Sequence, residues 1–430
     1  MRGMTAPYSS ELAEALSADV LDRLLRYVRI DTQSDPAYEQ SPSTPGQLEL
    51  GRLLVEELQD IGLEDAAIDA HGFVMATLPG NVDGAPVIGL LAHLDTSPDE
   101  SGTNVEPLVH RDYDGGVIEL PRRGTVLDPA RMPELAPCVG HDLVTTSGDT
   151  LLGADDKAGM AEIMAALAHL AAHPELPRAT VRVGFTPDEE IGKGAHLFDI
   201  ERFGAQCAYT FDGSEAGEFT DETFTAASAD LTIHGVEVHP GMATGKLVNA
   251  ARLAGRVLAA LPQDRLTPES TAEREGFIHV YEVHATAGRA RIRTIVRDFD
   301  EDALDAHVAL LRRTAEEVVA TEPRSWLEFE TERQYPNMRT YLDRNPEVSE
   351  AALEAIRREG FEPRRVPVRG GTDGSILSAR GLPTPNIFTG GHEYHSTREW
   401  ASVQDMASAA AVAVRLAGVW AERGPAPGSA

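Results

Sequence analysis

Three short apolar runs in this 430-residue chain each end in a carboxylate or an imidazole, with helix-length segments between them. Val87-Ile-Gly-Leu-Leu-Ala92 runs into His93-Leu94-Asp95-Thr96, and Ala179-Thr-Val-Arg-Val-Gly-Phe185 runs into Thr186-Pro-Asp-Glu-Glu190. Cys207-Ala-Tyr-Thr-Phe211 runs into Asp212-Gly213. Apolar runs of this length, bounded by turn residues, are the pattern of buried strands. Helical segments between them imply a largely parallel sheet. The C-terminal ends of such strands line one sheet edge, where open α/β sheets bind ligands. Residues distant in sequence are thereby delivered to one place.

Leu151-Leu-Gly-Ala-Asp-Asp-Lys-Ala-Gly159 adds two adjacent acids to that edge. Met160, Ile163, Met164, Leu167 and Leu170 follow at helical spacing, so Asp155 and Asp156 fall in the turn before an amphipathic helix. Neighbouring carboxylates repel unless cations or N–H donors surround them. A helix N-terminus gives slight relief and a bound metal ion far more. An acidic cap pair is the plain alternative; the other acids and histidines decide between them.

The remaining segments fill in an α/β framework. Val20, Leu21, Leu24, Leu25 and Val28 mark a first helix. Thr44-Pro45-Gly46-Gln47 reads as a capping box opening a second, which Gly62 stops. Ser97 to Thr146 is a long excursion with short strands. From Thr225 the texture changes to strand, helix, two strands around Gly288, long helix and strand, which is the βαββαβ order of a ferredoxin-like unit. The expected architecture is an α/β catalytic domain, residues 1–222 and 336–430, with a mixed, largely parallel sheet flanked by helices. A ferredoxin-like lid, residues 223–335, interrupts it. A helix from Pro346 to Glu359 and a last apolar helix follow, and the Gly424–Ala430 tail reads as disordered.

A formal net charge of −31 argues against nucleic acid and anionic membrane surfaces as partners. No stretch has the apolar length of a membrane span, and Met1–Ser17 lacks a signal-peptide core, so the expected location is cytoplasmic. Two cysteines, Cys138 and Cys207, exclude a disulfide scaffold or a Cys-rich zinc site. Any metal would need His and carboxylate ligands.

His93, Asp95, Asp155, Glu189, Glu190, Asp212 and His395 supply that set. Two imidazoles with several carboxylates suit a two-metal hydrolytic centre. Asp155 on its tight turn is the natural bridge. Asp95 shares a strand face with His93 and is placed to orient its ring. Of Glu189 and Glu190, one could bind metal and the other act as general base.

The chain resembles the peptidase T family of tripeptide aminopeptidases, within the di-zinc exopeptidase clan. The resemblance rests on Ala92-His-Leu-Asp-Thr96, Thr145-Thr-Ser-Gly148, Leu151–Gly159, Phe185-Thr-Pro-Asp-Glu-Glu-Ile-Gly-Lys-Gly194 and Phe211-Asp-Gly213. Val238-His-Pro-Gly241, Arg297-Asp-Phe-Asp300, Arg369-Gly-Gly-Thr-Asp-Gly374 and Gly390-Gly-His-Glu-Tyr-His395 complete it. It implies two Zn2+ per chain, with Co2+ or Mn2+ as substitutes. His93 and Asp212 would hold one ion, Glu190 and His395 the other, and Asp155 would bridge. His395, not His392, would be the ligand. It further implies Glu189 as general base, Asp95 as orienter of His93, and a cis Asp155–Asp156 peptide. His239, Asn249, Arg297 and Arg369 would contact substrate; a guanidinium pair suits a peptide carboxylate and His239 an oxyanion. The expected activity is release of the N-terminal residue from short peptides, with a homodimer as the clan's usual assembly. A related di-zinc dipeptidase, carboxypeptidase or N-acyl amino acid deacylase is the alternative, and a non-catalytic metal-dependent binding protein the remaining one.

Overall fold

Val87–His93 lies inside an eight-stranded sheet in the computed structural model, which describes residues 7–424. The strand order is Ala67–Ile68, Val74–Leu78, Thr180–Thr186, Val87–His93, Cys207–Phe211, Asn386–Ile387, Glu218–Thr220 and Arg364–Arg365. The four strands from Thr180–Thr186 to Asn386–Ile387 pair in parallel. They end side by side at Thr186, His93, Phe211 and Ile387, so their following turns share one edge. Alternate side chains on both faces are covered, which is why these strands read as continuous apolar runs.

Helix Ala154–Ala172 packs on the sheet against Val87–His93 and Cys207–Phe211, and beneath helices Glu11–Tyr27 and Val403–Arg423. That sandwiching explains a departure from the sequence reading. Every residue from Asp156 to Leu167 is buried, so the helix is enclosed all round instead of presenting one apolar face. Asp155 and Asp156 have non-helical φ/ψ, and regular helix begins only after them. The capping box at Thr44 does not form. Pro45 opens the second helix and Gly62 closes it at φ 102°, but Gln47 is drawn away to a buried carboxylate. Its Nε2 donates to Asp188 Oδ1 at 2.8 Å and its Oε1 accepts from the Asp188 N–H at 3.1 Å. The oxygen that a capping box would give to the Thr44 N–H is thus taken by the Asp188 N–H, and the charge-assisted bond from Nε2 holds the amide there.

The Ser97–Thr146 excursion holds short strands, as expected. Leu108–His110 and Leu143–Thr145 join Trp400–Ser402 and Gly391–His392 in a small antiparallel sheet. Among the described residues no helix is long and apolar enough to cross a membrane. Residues 425–430 of the expected tail lie outside the described residues.

The chain divides into two compact units, the second being Glu222–Arg339 with Pro367–Gly371. Its strands lie in the order Phe277–Ala285, Arg289–Asp298, Thr225–His234 and Trp326–Tyr335, all antiparallel. Helices Ala250–Ala260 and Glu301–Ala320 share its core through Leu253, Val257, Leu304 and Leu311, packed with Leu231, Ile233 and Ile292. Spatial order 2-3-1-4 with this connectivity is the ferredoxin-like arrangement. Pro367–Gly371 joins the unit because Val368 N–H donates to Glu222 O at 3.0 Å and Val368 O accepts from Phe224 N–H at 3.1 Å.

Gly159 fixes how closely the buried helix meets the sheet. A Cβ there would lie 2.0 Å from the Phe211 carbonyl oxygen and 2.5 Å from Asp156 Oδ1. On propensity alone, Gly159→Ala would stabilise a helix by about 1 kcal/mol. Backbone overlap reverses the sign, and a net loss of about 1–3 kcal/mol is expected. Urea unfolding midpoints check it; an unchanged or higher midpoint would show that the helix can retreat freely.

Candidate metal centre

His93 closes its strand with an imidazole that is 3% exposed. Its Nδ1 lies 3.0 Å from the Asp95 carbonyl oxygen and 3.5 Å from Asp95 Oδ1, which turns Nε2 outward along the sheet edge. Nε2 is 2.8 Å from Asp155 Oδ1 and 3.8 Å from Asp212 Oδ1, the residue just beyond Phe211. His395 approaches from the opposite side: its Nε2 is 2.9 Å from Glu190 Oε2 and 3.4 Å from Asp155 Oδ2. The two oxygens of Asp155 thus address two different imidazoles, and each imidazole has a further carboxylate of its own. The Asp155–Asp156 peptide is cis.

Buried acids crowd this edge. Burial, reinforced by Asp155, lifts the Glu190 carboxyl to about 7. Burial raises the Glu189 carboxyl well above the usual range, and it does the same at Asp212, aided by the Asp155 and Asp156 charges. The imidazoles respond in the opposite sense. Burial pulls His395 down, but hydrogen bonds to Asp155 and Glu190 carry it up to about 11. A group of acids whose burial resists ionisation, facing two imidazoles held as cations, is a site short of positive charge. Glu190 Oε1 is buried with no hydrogen-bond partner among the described residues. Ligand atoms of His93, Asp155 and Glu190 lie within 4.8 Å of one another, as do those of His93, Asp156 and Asp212. Two divalent cations fit this donor set in charge and in donor chemistry.

Asp156 is nevertheless committed elsewhere. Its Oδ2 accepts from the His93 N–H at 3.0 Å and its Oδ1 from the Gly159 N–H at 3.2 Å. It ties the strand end to the helix start and leaves Asp155 free to face the imidazoles. Asp95 is similarly employed: its carboxylate accepts the backbone N–H of Glu189 at 2.9 Å and of Glu190 at 3.1 Å. One fully buried acid therefore positions both the His93 ring and the Glu-Glu turn. His392 stands apart, stacked on Trp400 at 4.1 Å, with burial holding its imidazole down to about 4.

The four residues expected to contact substrate all lie in the second unit. His239 is exposed, and its Nδ1 accepts from the Gly241 N–H at 3.2 Å. Asn249 caps helix Ala250–Ala260 by accepting from Arg252 N–H at 3.0 Å. Arg369 donates to Thr271 O, Thr271 Oγ1 and Glu275 O at 2.7, 2.8 and 3.0 Å. Arg297 donates through Nη1 to Arg369 O at 3.3 Å, and its Nε is buried without a hydrogen-bond partner among the described residues.

Sequence reasoning passed over three supporting residues. Asp99 Oδ2 lies 3.2 Å from His395 Nδ1, an exposed carboxylate at the ring nitrogen where His93 has the Asp95 backbone carbonyl. Lys157, 1% exposed, donates to Ile30 O at 2.7 Å and sets one cation beneath the acidic turn. Glu399 does most. Its Oε2 accepts the N–H groups of Leu152 and Gly153, both at 2.7 Å, and its Oε1 accepts that of Asp155 at 3.1 Å. The only signal in the sequence is its place one short turn after His395.

Comparison with known proteins adds a family likeness. The profile described as peptidase family M20/M25/M40 matches residues 152–418. The chain is 47% identical over 405 residues to peptidase T of Vibrio parahaemolyticus serotype O3:K6, covering 94% of this chain and 99% of that one. The crystal structure of aminopeptidase PepT from Bacillus cereus shares the fold at TM-score 0.73 and 24% identity, covering 94% and 99% of the two chains. The YXEP protein of Bacillus subtilis, titled a dinuclear metal binding peptidase, does so at 0.64 and 18%, covering 95% and 99%.

Glu399→Gln tests the support of the Asp155 turn. It keeps size but makes one acceptor a donor, aimed at a backbone N–H. Metal affinity, read by chelator competition, is expected to fall about 10–100-fold. Unchanged affinity would mean that the turn holds itself.

Proposed function

The chain belongs to peptidase family M20/M25/M40, and on that premise we propose that it is a metallo-aminopeptidase releasing the N-terminal residue of tripeptides. The observation that carries the reading is Asp155, set with one oxygen toward His93 and the other toward His395. His93 and Asp212 would hold one divalent ion and Glu190 and His395 the other, with Asp155 between them. Zinc suits these donors, and cobalt or manganese could replace it. When bound, such a pair supplies a water acidified toward neutrality and a Lewis acid for the scissile carbonyl.

The remaining work falls to protein groups. Glu189 takes the proton of the attacking water and hands it to the departing amine. Its turn is held by Asp95, so base and ligand keep a fixed spacing along the backbone. Arg297, with a buried unpartnered Nε, is assigned to the C-terminal carboxylate of the peptide, and Arg369 stiffens it through its own carbonyl. His239 is assigned to the developing oxyanion and Asn249 to the peptide backbone.

Two measurements test this. Glu189→Gln should keep both ions while turnover falls by about two to four orders of magnitude; near-native turnover would remove Glu189 as the base. Free and N-acetylated tripeptides should differ sharply, with only the free form hydrolysed from its N-terminus. Faster cleavage of the acetylated peptide would instead indicate a deacylase.

A further inference from the structure

Away from the centre around Asp155, a turn and a helix start bring three unlike donors together. Cys138 ends the 3-10 turn Pro133–Cys138, is 2% exposed, and is backed by Leu135, Leu143 and Trp400. Its Sγ lies 3.8 Å from Asp405 Oδ2, in the first turn of helix Val403–Arg423. His141 turns Nδ1 toward that same oxygen at 3.9 Å. The sulfur, nitrogen and oxygen all lie within 4.8 Å of one another. We propose that Cys138, His141 and Asp405 form a separate cation site taking one thiophilic transition-metal ion, zinc or its cobalt substitute.

The spacing is close to what such an ion requires. Tetrahedral zinc, with bonds of about 2.3 Å to sulfur and about 2.0–2.1 Å to nitrogen and oxygen, separates these donors by roughly 3.3–3.5 Å. The 3.8 and 3.9 Å edges need closing by about half an ångström, and the sulfur–nitrogen edge, within 4.8 Å, must close to the same range. The His93 Nε2–Asp212 Oδ1 edge of the main centre is equally open at 3.8 Å. The charges also balance. A thiolate, a carboxylate and a neutral imidazole together cancel a divalent ion. Burial pushes the Cys138 thiol up, so binding displaces its proton to solvent. Sulfur as one of three donors favours zinc or cobalt over magnesium and calcium.

The Ser402 hydroxyl is the competing occupant. Its Oγ is 2.9 Å from His141 Nδ1 and accepts the Asp405 N–H at 3.2 Å. It could complete a purely hydrogen-bonded network. With an ion present, it and solvent share the fourth position; His141 and Asp405 retain 16% and 13% exposure. The ion would pin the Pro133–Cys138 turn to the start of the last helix. Ser402 N–H in turn donates to Gly390 O at 2.9 Å, at the root of the segment that carries His395.

Metal content and cobalt spectra decide the matter, independently of whether peptides are cleaved. The purified full-length chain should bind three equivalents of zinc. Cobalt titrated into the stripped chain should produce a near-ultraviolet thiolate-to-cobalt charge-transfer band. The His/carboxylate centre has no sulfur and cannot give one. Cys138→Ser should abolish the band and one equivalent while tripeptide turnover stays within about twofold, and Cys207→Ser should leave both intact. His141→Gln, which keeps the thiol, should lose the same equivalent. Two equivalents with no sulfur band, or a band that survives Cys138→Ser, overturns the proposal and leaves Ser402 as the centre of the network.

Discussion

Asp155 sees one imidazole with each carboxylate oxygen, and much of the catalytic unit is arranged to keep it so. Its backbone N–H is held by Glu399, its neighbour Asp156 is occupied by the His93 and Gly159 amides, and the helix behind it is buried all round. A side chain shared by two ligands tolerates less error than one serving a single partner, because a rotation that improves one contact worsens the other.

Charge sets the second constraint. Packing several carboxylates at one buried sheet edge is unfavourable without cations, and the Glu189, Glu190 and Asp212 carboxyls are raised first by burial and then by their acidic neighbours. The protein offsets part of it internally through two imidazoles, the buried Lys157 and the backbone donors. The larger share is left for what binds. Stability and metal loading are therefore coupled, and the apoprotein carries the repulsion that the ions relieve.

The turns that bear His93, Glu190 and Asp212 were legible in the sequence because each follows an apolar strand, and parallel strands leave little freedom in where their ends lie; Asp155 and His395 follow no such strand and were placed by their motifs. The order of elements in the second unit was legible for a similar reason: six short segments with clear periodicity admit few packings. Glu399, Asp99 and the cluster at Cys138 were not, since each depends on which distant backbone lies opposite. Gln47 shows the same effect in reverse. Its local signature was a helix cap, and a buried aspartate far along the chain claimed it. The helix after Asp156 read as amphipathic only because alanines and a buried glutamate, enclosed by neighbouring helices, look polar or neutral out of context.

The strand Asn386–Ile387 pairs beside Cys207–Phe211 although the whole second unit lies between them in the chain. During synthesis, His93, Asp155, Glu190 and Asp212 are therefore all made before the segment that bears His395. On the proposed assignment, a chain that stops before His395 carries four of the five proposed ligands and lacks the second imidazole. The centre is then complete only after the segment from Asn386 onward has been made and has paired beside Cys207–Phe211.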